Sequence, residues 1–358
     1  MNIYNITFSA LEEYFFKRGE NKAKAKIVYN AVYKKKTTDF DKIEELSDRV
    51  KAMLKADFEF SGVKTLKETG GFSLRRLAVE ISDKKSLPDT VKLLFKLDDN
   101  HAVEAVIMKH DYGNALCVST QVGCNMGCAF CQSGMNQKVR DLQPFEMVLQ
   151  LLLAEAEIGE KITRLTLMGI GEPLDNFKNV MNFISIAGHR HGLALAPRHI
   201  TISTCGLIPE MKRLMSEEIY QGFNLAISLH APNDEIRSRL MPVNKAYGIE
   251  QLIQTVREYS NVKNKKTTLE YVMLDGINDS DQNARELAEL LKDVNCYVNL
   301  IPYNKTNLGF KRSDKDRIKR FYEILIESGI RAVVRREFGG EINAACGQLR
   351  ANCAEKMD

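Results

Sequence analysis

The chain has 358 residues, 44% hydrophobic and 27% charged, with a net charge of +4. That is the composition of a globular chain, and it excludes a disordered or collagen-like one. No apolar run reaches the roughly 20 residues that span a bilayer, and the N-terminus MNIYNITFSALEEYFFKRGE lacks a leader's basic start, apolar core and cleavage site, so a cytoplasmic protein is expected.

Residues 1 to about 60 read as helical, with AKAKIVYNAVYKKK placing Ile27, Val28, Ala31 and Val32 at three-to-four spacing. Between Lys17 and Lys36 there are eight basic residues against the single acid Glu20. Charge alone leaves two readings open, a footprint for nucleic acid and a solvated helix face. Next, TVKLLFKL and AVEAVIMK, split by Asp98-Asp99-Asn100, read as antiparallel strands. The turn His110-Asp111-Tyr112-Gly113 leads into a third strand, ALCVST. An even-numbered loop there would put Cys117 on the same face as Glu104, about one diagonal neighbour away.

From residue 114 strands alternate with helices: NALCVST, RLTLMG, HITISTCG, FNLAISLH, TTLEYVML, YVNLIPY and RAVVRR are the strands. Near-continuous apolar strands of this kind imply a parallel sheet covered by helices. Six such units predict an α/β fold built on a partial (β/α)6 barrel, with functional residues on loops at the strand C-terminal ends. An open doubly wound sheet is the alternative. The expected division is a helical accessory domain over 1–65, a β-hairpin extension over 66–113, the barrel over 114–350 and a tail over 351–358.

Eight cysteines stand at 117, 124, 128, 131, 205, 296, 346 and 353. In a cytosolic chain such a set suits metal binding or catalysis better than disulfides. Four fall in the segment CVSTQVGCNMGCAFC, where Cys124, Cys128 and Cys131 bring soft thiolates together on a short loop, as iron–sulfur clusters and zinc prefer. Three sulfurs on a four-iron cube leave one iron open, the feature that separates a reactive site from a closed structural one. CxxxCxxC with Phe130 before the last cysteine resembles the radical S-adenosylmethionine (SAM) cradle. There the open iron binds the amino and carboxylate groups of SAM and reduces it to a 5′-deoxyadenosyl radical. The alternative is zinc with Cys117 as fourth ligand, although structural zinc sites more often pair two CxxC knuckles and no second pair exists.

From about Glu104 to Leu349, and more weakly in the N-terminal helices, the chain resembles the RlmN/Cfr radical SAM RNA methyltransferases. The matching segments are LCVSTQVGCNMGCAFC, LMGIGEPLDN, ITISTCG, AISLHAPNDEIR, LEYVMLDGIND, NLIPYN and AACGQL. GEPLDN is similar to the RlmN branch, which methylates adenine C2; the Cfr branch, which methylates C8, departs at this proline. The resemblance implies that Cys346 accepts a methyl group from a first SAM. A second SAM, bound at the cluster, then supplies the radical that abstracts hydrogen from the S-methyl group. The carbon radical adds to adenine C2, and Cys117 resolves the protein–RNA adduct by forming a disulfide with Cys346. Glu104 aligns with the proposed proton acceptor. Gly171, Glu172, Ser203, Ser228, Leu229, His230 and Asn304 occupy the SAM-contacting positions. Cys205, Cys296 and Cys353 match no role, and Asn343 stands where the family more often has aspartate.

Each assignment has a plainer alternative: Cys346 and Cys117 as ordinary buried thiols, Glu104 as a solvent-facing strand residue, His230 as a satisfied core histidine. The chemistry nonetheless calls for a carrier and a resolver outside the triplet, because electron-poor adenine C2 cannot displace a methyl group from SAM whereas a carbon radical adds there. Gly339-Gly340 and Gly347 around Cys346 suit a loop that moves. GIGEPL fails as a dinucleotide fingerprint because Glu and Pro follow the glycines.

The implied cofactors are one [4Fe-4S] cluster per chain and two SAM per turnover. The implied substrates are 23S rRNA near the peptidyl-transferase centre and the adenine beside certain tRNA anticodons, received as an unstacked base. The N-terminal helices, Lys212-Arg213 and Arg335-Arg336 would hold phosphates. A flavodoxin or ferredoxin is the expected electron donor, and a monomer the expected state. Competing readings are C8 methylation and a non-catalytic RNA-binding protein with zinc at residues 117–131.

Overall fold

A computed structural model describes residues 1–60, 73–80, 90–216, 222–335 and 346–349. The N-terminal region is helical, with α1 (Phe8–Lys17), α2 (Lys24–Tyr29) and α3 (Asp48–Asp57). Thr7 starts α1 by accepting the Ala10 N–H, and Lys17 complements the last turn. Past α2 the chain widens into a π-type turn over Asn30–Lys34. Val28, Ala31 and Val32 are buried, together with Leu11, Phe15 and Leu54. Ile27 is partly buried against them.

Among the described residues the central sheet has ten strands: β1 (Ser73–Glu80), β2 (Thr90–Lys96), β3 (Ala102–His110), β4 (Gly113–Cys117), β7 (Ile162–Leu167), β8 (Ile200–Thr204), β9 (Asn224–Ser228), β10 (Thr267–Met273), β11 (Cys296–Pro302) and β12 (Ala332–Val334). A two-stranded ribbon, β5 (Gln121–Val122) with β6 (Arg140–Asp141), stands apart. From β4 to β12 all neighbours are parallel and follow one another in chain order. A doubly wound sheet reverses its order at a switch point. None occurs here, so the helices α4 (Pro144–Ile158), α5 (Phe177–Gly188), α6 (Ile208–Ser216), α7 (Asp234–Leu240), α8 (Ile249–Lys263), α9 (Asp281–Leu290) and α10 (Lys315–Glu327) follow the strands as in an incomplete barrel. Six β/α units and a seventh strand make up the expected fold. All seven β10 residues are buried, which accounts for its unbroken run TTLEYVM.

β1, β2 and β3 continue this sheet antiparallel beyond β4. His110 pairs with Gly113, so the turn between β3 and β4 has two residues. Gly113 has φ +117°, and a Cβ there would stand 2.3 Å from Thr163 Oγ1, so only glycine fits. With this even loop, Cys117 faces Val106, and Glu104 lies two residues further along β3 on the same face.

The N-terminal helices dock on the barrel's outer layer. Asn5 Oδ1 accepts the Phe145 N–H at 2.8 Å in the first turn of α4, and Phe8 stacks on His189 at 3.9 Å just past α5. No helix among the described residues is long and apolar enough to cross a membrane. Arg336, Gly339, Gly340, Asn343, Cys353, the expected 65/66 boundary and the 351–358 tail lie outside the described residues.

Candidate active site

The cysteine loop leaves β4 and is folded by its own backbone. Cys124 N–H donates to Asn136 O, and Ala129 N–H to Leu240 O, both at 2.9 Å. Gly123 has φ +76°, and a Cβ there would meet the Gln137 carbonyl oxygen at 2.1 Å. Cys124, Cys128 and Cys131 line one cavity above the strand C-terminal ends. Burial pushes the Cys124 thiol up to about 12, and raises Cys128 and Cys131; the charge of Cys131 raises Cys124 and Cys128 further, and Cys346 adds to the shift of Cys131. Three soft sulfur donors around one cavity fit an iron–sulfur cluster. Cys117 does not line that cavity, which leaves the zinc alternative without its fourth ligand.

Gly171, Glu172, Ser203, Ser228, His230 and Asn304 line the same cavity, each at or just past a strand end. Gly171 has φ +108°, and its missing Cβ would press on Gln121 at 2.7 Å. The Gln121 side chain instead accepts the Glu172 N–H at 2.9 Å. Glu172 is buried, which raises its pKa. Its oxygens accept N–H groups of Leu174 at 3.0 Å and Cys205 at 2.8 Å, which oppose that shift. His230 holds φ +58°. Its Nδ1 accepts the Val272 N–H at 3.0 Å, and burial lowers its pKa to about 3, keeping the ring neutral. It is thus satisfied on one nitrogen and still faces the cavity. Leu229 does not line it; the side chain is in the core and the N–H donates to Glu270 O at 3.1 Å.

Cys346 enters the cavity on a segment tied down at four points. Gln132 N–H donates to Gly347 O at 2.9 Å, and Ser133 Oγ–H to Leu349 O at 2.8 Å. Asn304 Nδ2 donates to Cys346 O at 3.2 Å, and Gln348 Nε2 to Lys305 O at 2.9 Å. Cys117 sits behind the wall in a small apolar cluster with Met168, Ile170 and Leu349. Burial pushes its thiol up to about 12, with the nearby Cys346 adding to the shift. Glu104 is buried rather than solvent-facing and pairs with Lys92 at 2.9 Å; it does not line the cavity. The seven described cysteines are free thiols.

Two family models match: that of the Radical SAM superfamily over residues 118–288, and that of the "Ribosomal RNA large subunit methyltransferase N-terminal domain" over residues 1–60. A relative from Thermoanaerobacter sp. (strain X514), named "Probable dual-specificity RNA methyltransferase RlmN", is 43% identical over 350 residues, covering 98% of this chain and 97% of its own. One of the same name from Acholeplasma laidlawii is 42% identical over 353 residues, covering 98% and 99%. A crystal structure of a radical SAM methyltransferase from Sphaerobacter thermophilus matches with TM-score 0.86 at 38% identity, covering 98% of this chain and all of that one. The chain belongs to the RlmN family of radical SAM methyltransferases. Membership of the superfamily implies a [4Fe-4S] cluster and SAM, consistent with the cysteine triplet.

Three charged residues at this RlmN-family site have no role assigned by the sequence, although Arg237 and Glu270 stand inside matched segments. Arg237 on α7 is buried, which lowers its pKa to about 10. It donates to Cys205 O at 2.7 Å, Ser228 O at 3.2 Å, Leu229 O at 3.2 Å and Asn244 Oδ1 at 2.8 Å, bracing two strand ends beneath the cavity. Glu270 on β10 lines the cavity with its carboxyl raised by burial, and accepts from Asn299 Nδ2 at 2.7 Å. Arg335, expected to face RNA phosphates, lines the cavity wall beside Cys346.

The basic N-terminal stretch of this RlmN-family chain is largely matched by acids. Lys17, Arg18, Lys24, Lys35 and Lys36 pair with Glu13, Asp57, Glu20, Glu45 and Glu155. Lys22 lies 4.8 Å from the centre of the Phe16 ring. Arg213 stacks on Phe177 at 4.0 Å.

Proposed function

We propose that this methyltransferase acts on RNA, adding a methyl group to C2 of an adenine in 23S rRNA and of the adenine beside certain tRNA anticodons. The observation that carries the reading is the meeting of Cys346 with Cys124, Cys128 and Cys131 around one cavity, while Cys117 lies close enough for its thiol to feel Cys346. The names of the relatives and of the N-terminal family model support an RNA substrate.

Cys124, Cys128 and Cys131 would hold a [4Fe-4S] cluster, one per chain, which when bound would supply the electron for reductive cleavage of SAM to methionine and a 5′-deoxyadenosyl radical. Cys346 is the methyl carrier: its sulfur takes the methyl group of a first SAM, so two SAM are consumed per turnover. Cys117 is the resolver. After the carrier radical has joined C2, the adduct loses the C2 proton and gives one electron back to the reducing system. The Cys117 thiolate then attacks Cys346 sulfur, the S–CH2 electron pair goes to the carbon, which takes up a proton, and the methylated base is released with a disulfide to be reduced. Glu104 takes the C2 proton, reaching the base from behind Cys117 on the shared strand face. Gly171, Glu172, Ser203, Ser228, His230 and Asn304 position SAM, and Leu229 supports them from the core.

The target adenine is presented unstacked, because C2 is shielded in a helix. The N-terminal unit over 1–65 recognises the RNA fold, the segment over 66–113 is an extension of the barrel, and residues 114–350 carry the chemistry. The enzyme works as a cytoplasmic monomer with a flavodoxin or ferredoxin as donor.

Mass spectrometry of treated RNA tests the reading. The expected product is 2-methyladenosine, and 8-methyladenosine would overturn the C2 assignment. Cys117→Ala is expected to trap RNA cross-linked to Cys346. No adduct from this variant, while it still cleaves SAM, would overturn the carrier–resolver pair.

A further inference from the structure

At the other end of the strands from the cysteine loop lies a second cavity of about 520 Å³, within the range of small-molecule sites. It shares only Met168, Glu270 and Arg335 with the upper cavity, so one layer of side chains separates the two. Its mouth is formed by strand N-terminal ends and by the turn between β3 and β4.

Among the described residues the charge at this mouth is unbalanced: Arg164, Arg198, His199 and His110 line it against one rim acid, Asp111, with Glu270 and Arg335 at its deep end. Whereas most cations of the N-terminal stretch are paired with acids, neither Arg164 nor Arg198 makes an ion pair among the described residues. Among the described residues the buried Arg164 Nε–H has no hydrogen-bond acceptor, so the guanidinium's hydrogen-bonding capacity is not used up within the protein. His199 registers the field: burial lowers its pKa, and Arg164 and Arg198 lower it further.

The guanidinium carbon of Arg164 lies 4.4 Å from the centre of the Tyr112 ring, and His110 stacks on the same ring at 4.7 Å. A planar guanidinium held this way offers its fork to phosphate oxygens. Across the mouth, Tyr297 is 37% exposed and provides an aromatic surface on which a base can stack.

We propose that this mouth is a second ligand site, taking a nucleotide by its phosphate on Arg164 and Arg198 and by its base on Tyr297. The chemistry is shared by a free mononucleotide and by a nucleotide within an RNA strand. It is independent of which adenine atom the enzyme methylates.

The test is calorimetry on the cluster-loaded enzyme with the upper cavity saturated by S-adenosylhomocysteine, so that adenine cannot register there. Probes are AMP, adenosine, inorganic phosphate and a 5′-phosphorylated RNA dinucleotide. AMP is expected to bind at least about tenfold more tightly than adenosine, since each charge-assisted contact is worth about a factor of ten. Arg164→Ala and Arg198→Ala should each weaken AMP by about tenfold or more while S-adenosylhomocysteine affinity holds, and Tyr297→Ala should weaken AMP but not phosphate. Binding of the dinucleotide alone, with the same arginine dependence, would support the site and assign it to RNA. Absence of binding by every probe at millimolar concentration would overturn the proposal, as would AMP or dinucleotide affinity indifferent to both arginine variants. Arg198 is exposed, so its variant keeps the test decisive even if Arg164→Ala fails to fold.

Discussion

The Ser133 hydroxyl, two residues after the last cysteine of the triplet, donates to the main-chain carbonyl of Leu349 at 2.8 Å, joining positions 216 residues apart in sequence. With Gln132 N–H on Gly347 O, this bond fastens the segment bearing Cys346 directly to the segment bearing Cys131. The two chemical parts of the site share one piece of local structure.

Removing that bond should separate SAM cleavage from methyl transfer. Ser133→Ala loses a buried hydrogen bond worth about 1 kcal/mol. The expected result is a fall of roughly five- to tenfold in methylated product, with reductive SAM cleavage close to wild type. Equal loss of both activities, measured side by side, would mean that Ser133 supports the cluster loop alone.

Arg237 offers a test of the buried brace. Arg237→Ala leaves the carbonyls of Cys205 and Leu229 and the Asn244 amide oxygen without this donor, besides opening a void. The expected cost is about 3 kcal/mol or more in urea-induced unfolding. Arg237→Lys should recover only part of it, because an ammonium cannot reproduce a planar fork. A loss within about 0.5 kcal/mol, the range of a surface substitution, would contradict the assigned role.

Gly123 should be irreplaceable on steric grounds. Its φ of +76° is disfavoured for any other residue, and the contact a Cβ would make, 2.1 Å, is with backbone oxygen rather than a flexible side chain. Gly123→Ala is expected to lower iron bound per chain after anaerobic reconstitution by half or more, about as a 1–3 kcal/mol strain in the loop would predict. Full iron content would show that the loop relaxes around the methyl group.

Cys296 gives a pH dependence free of the site. Burial pushes its thiol up to about 12, against roughly 8.5 in an unfolded chain. A folded value above the unfolded one means stability that is complete below about pH 8.5 and is lost as pH rises toward 12. Cys296→Ala should therefore flatten the alkaline limb of stability by up to one proton, read as the slope of unfolding free energy against pH. An unchanged slope would show that Cys296 is exposed in the native state at high pH.

The sequence carries some of this structure openly and hides the rest. Cys124, Cys128 and Cys131 are legible because their spacing is a ligand set within one loop. Ser203, Ser228 and Asn304 are legible through the resemblance to the RlmN/Cfr segments, whose matching blocks fall at strand ends. The roles of Glu270 and Arg237 are not, since a buried charge looks in sequence like a surface one until the partners that stabilise it, Asn299 and a ring of carbonyls, are brought together by folding. Arg335 was expected at the RNA-facing surface, yet β12 turns it into the barrel. The face shared by Glu104 and Cys117 follows from strand parity, whereas the Lys92 partner of Glu104 depends on how β2 aligns with β3.

That parity also restricts how this stretch of chain can vary in length. One residue added between Glu104 and His110 would rotate Glu104 to the opposite side of the sheet, while two would restore it displaced along the strand. The turn itself has little room, since Gly113 already lies against Thr163. Tolerated insertions between residues 104 and 117 are therefore expected to be even-numbered or absent, so the spacing acts as a constraint of arithmetic on homologous genes as well as of geometry.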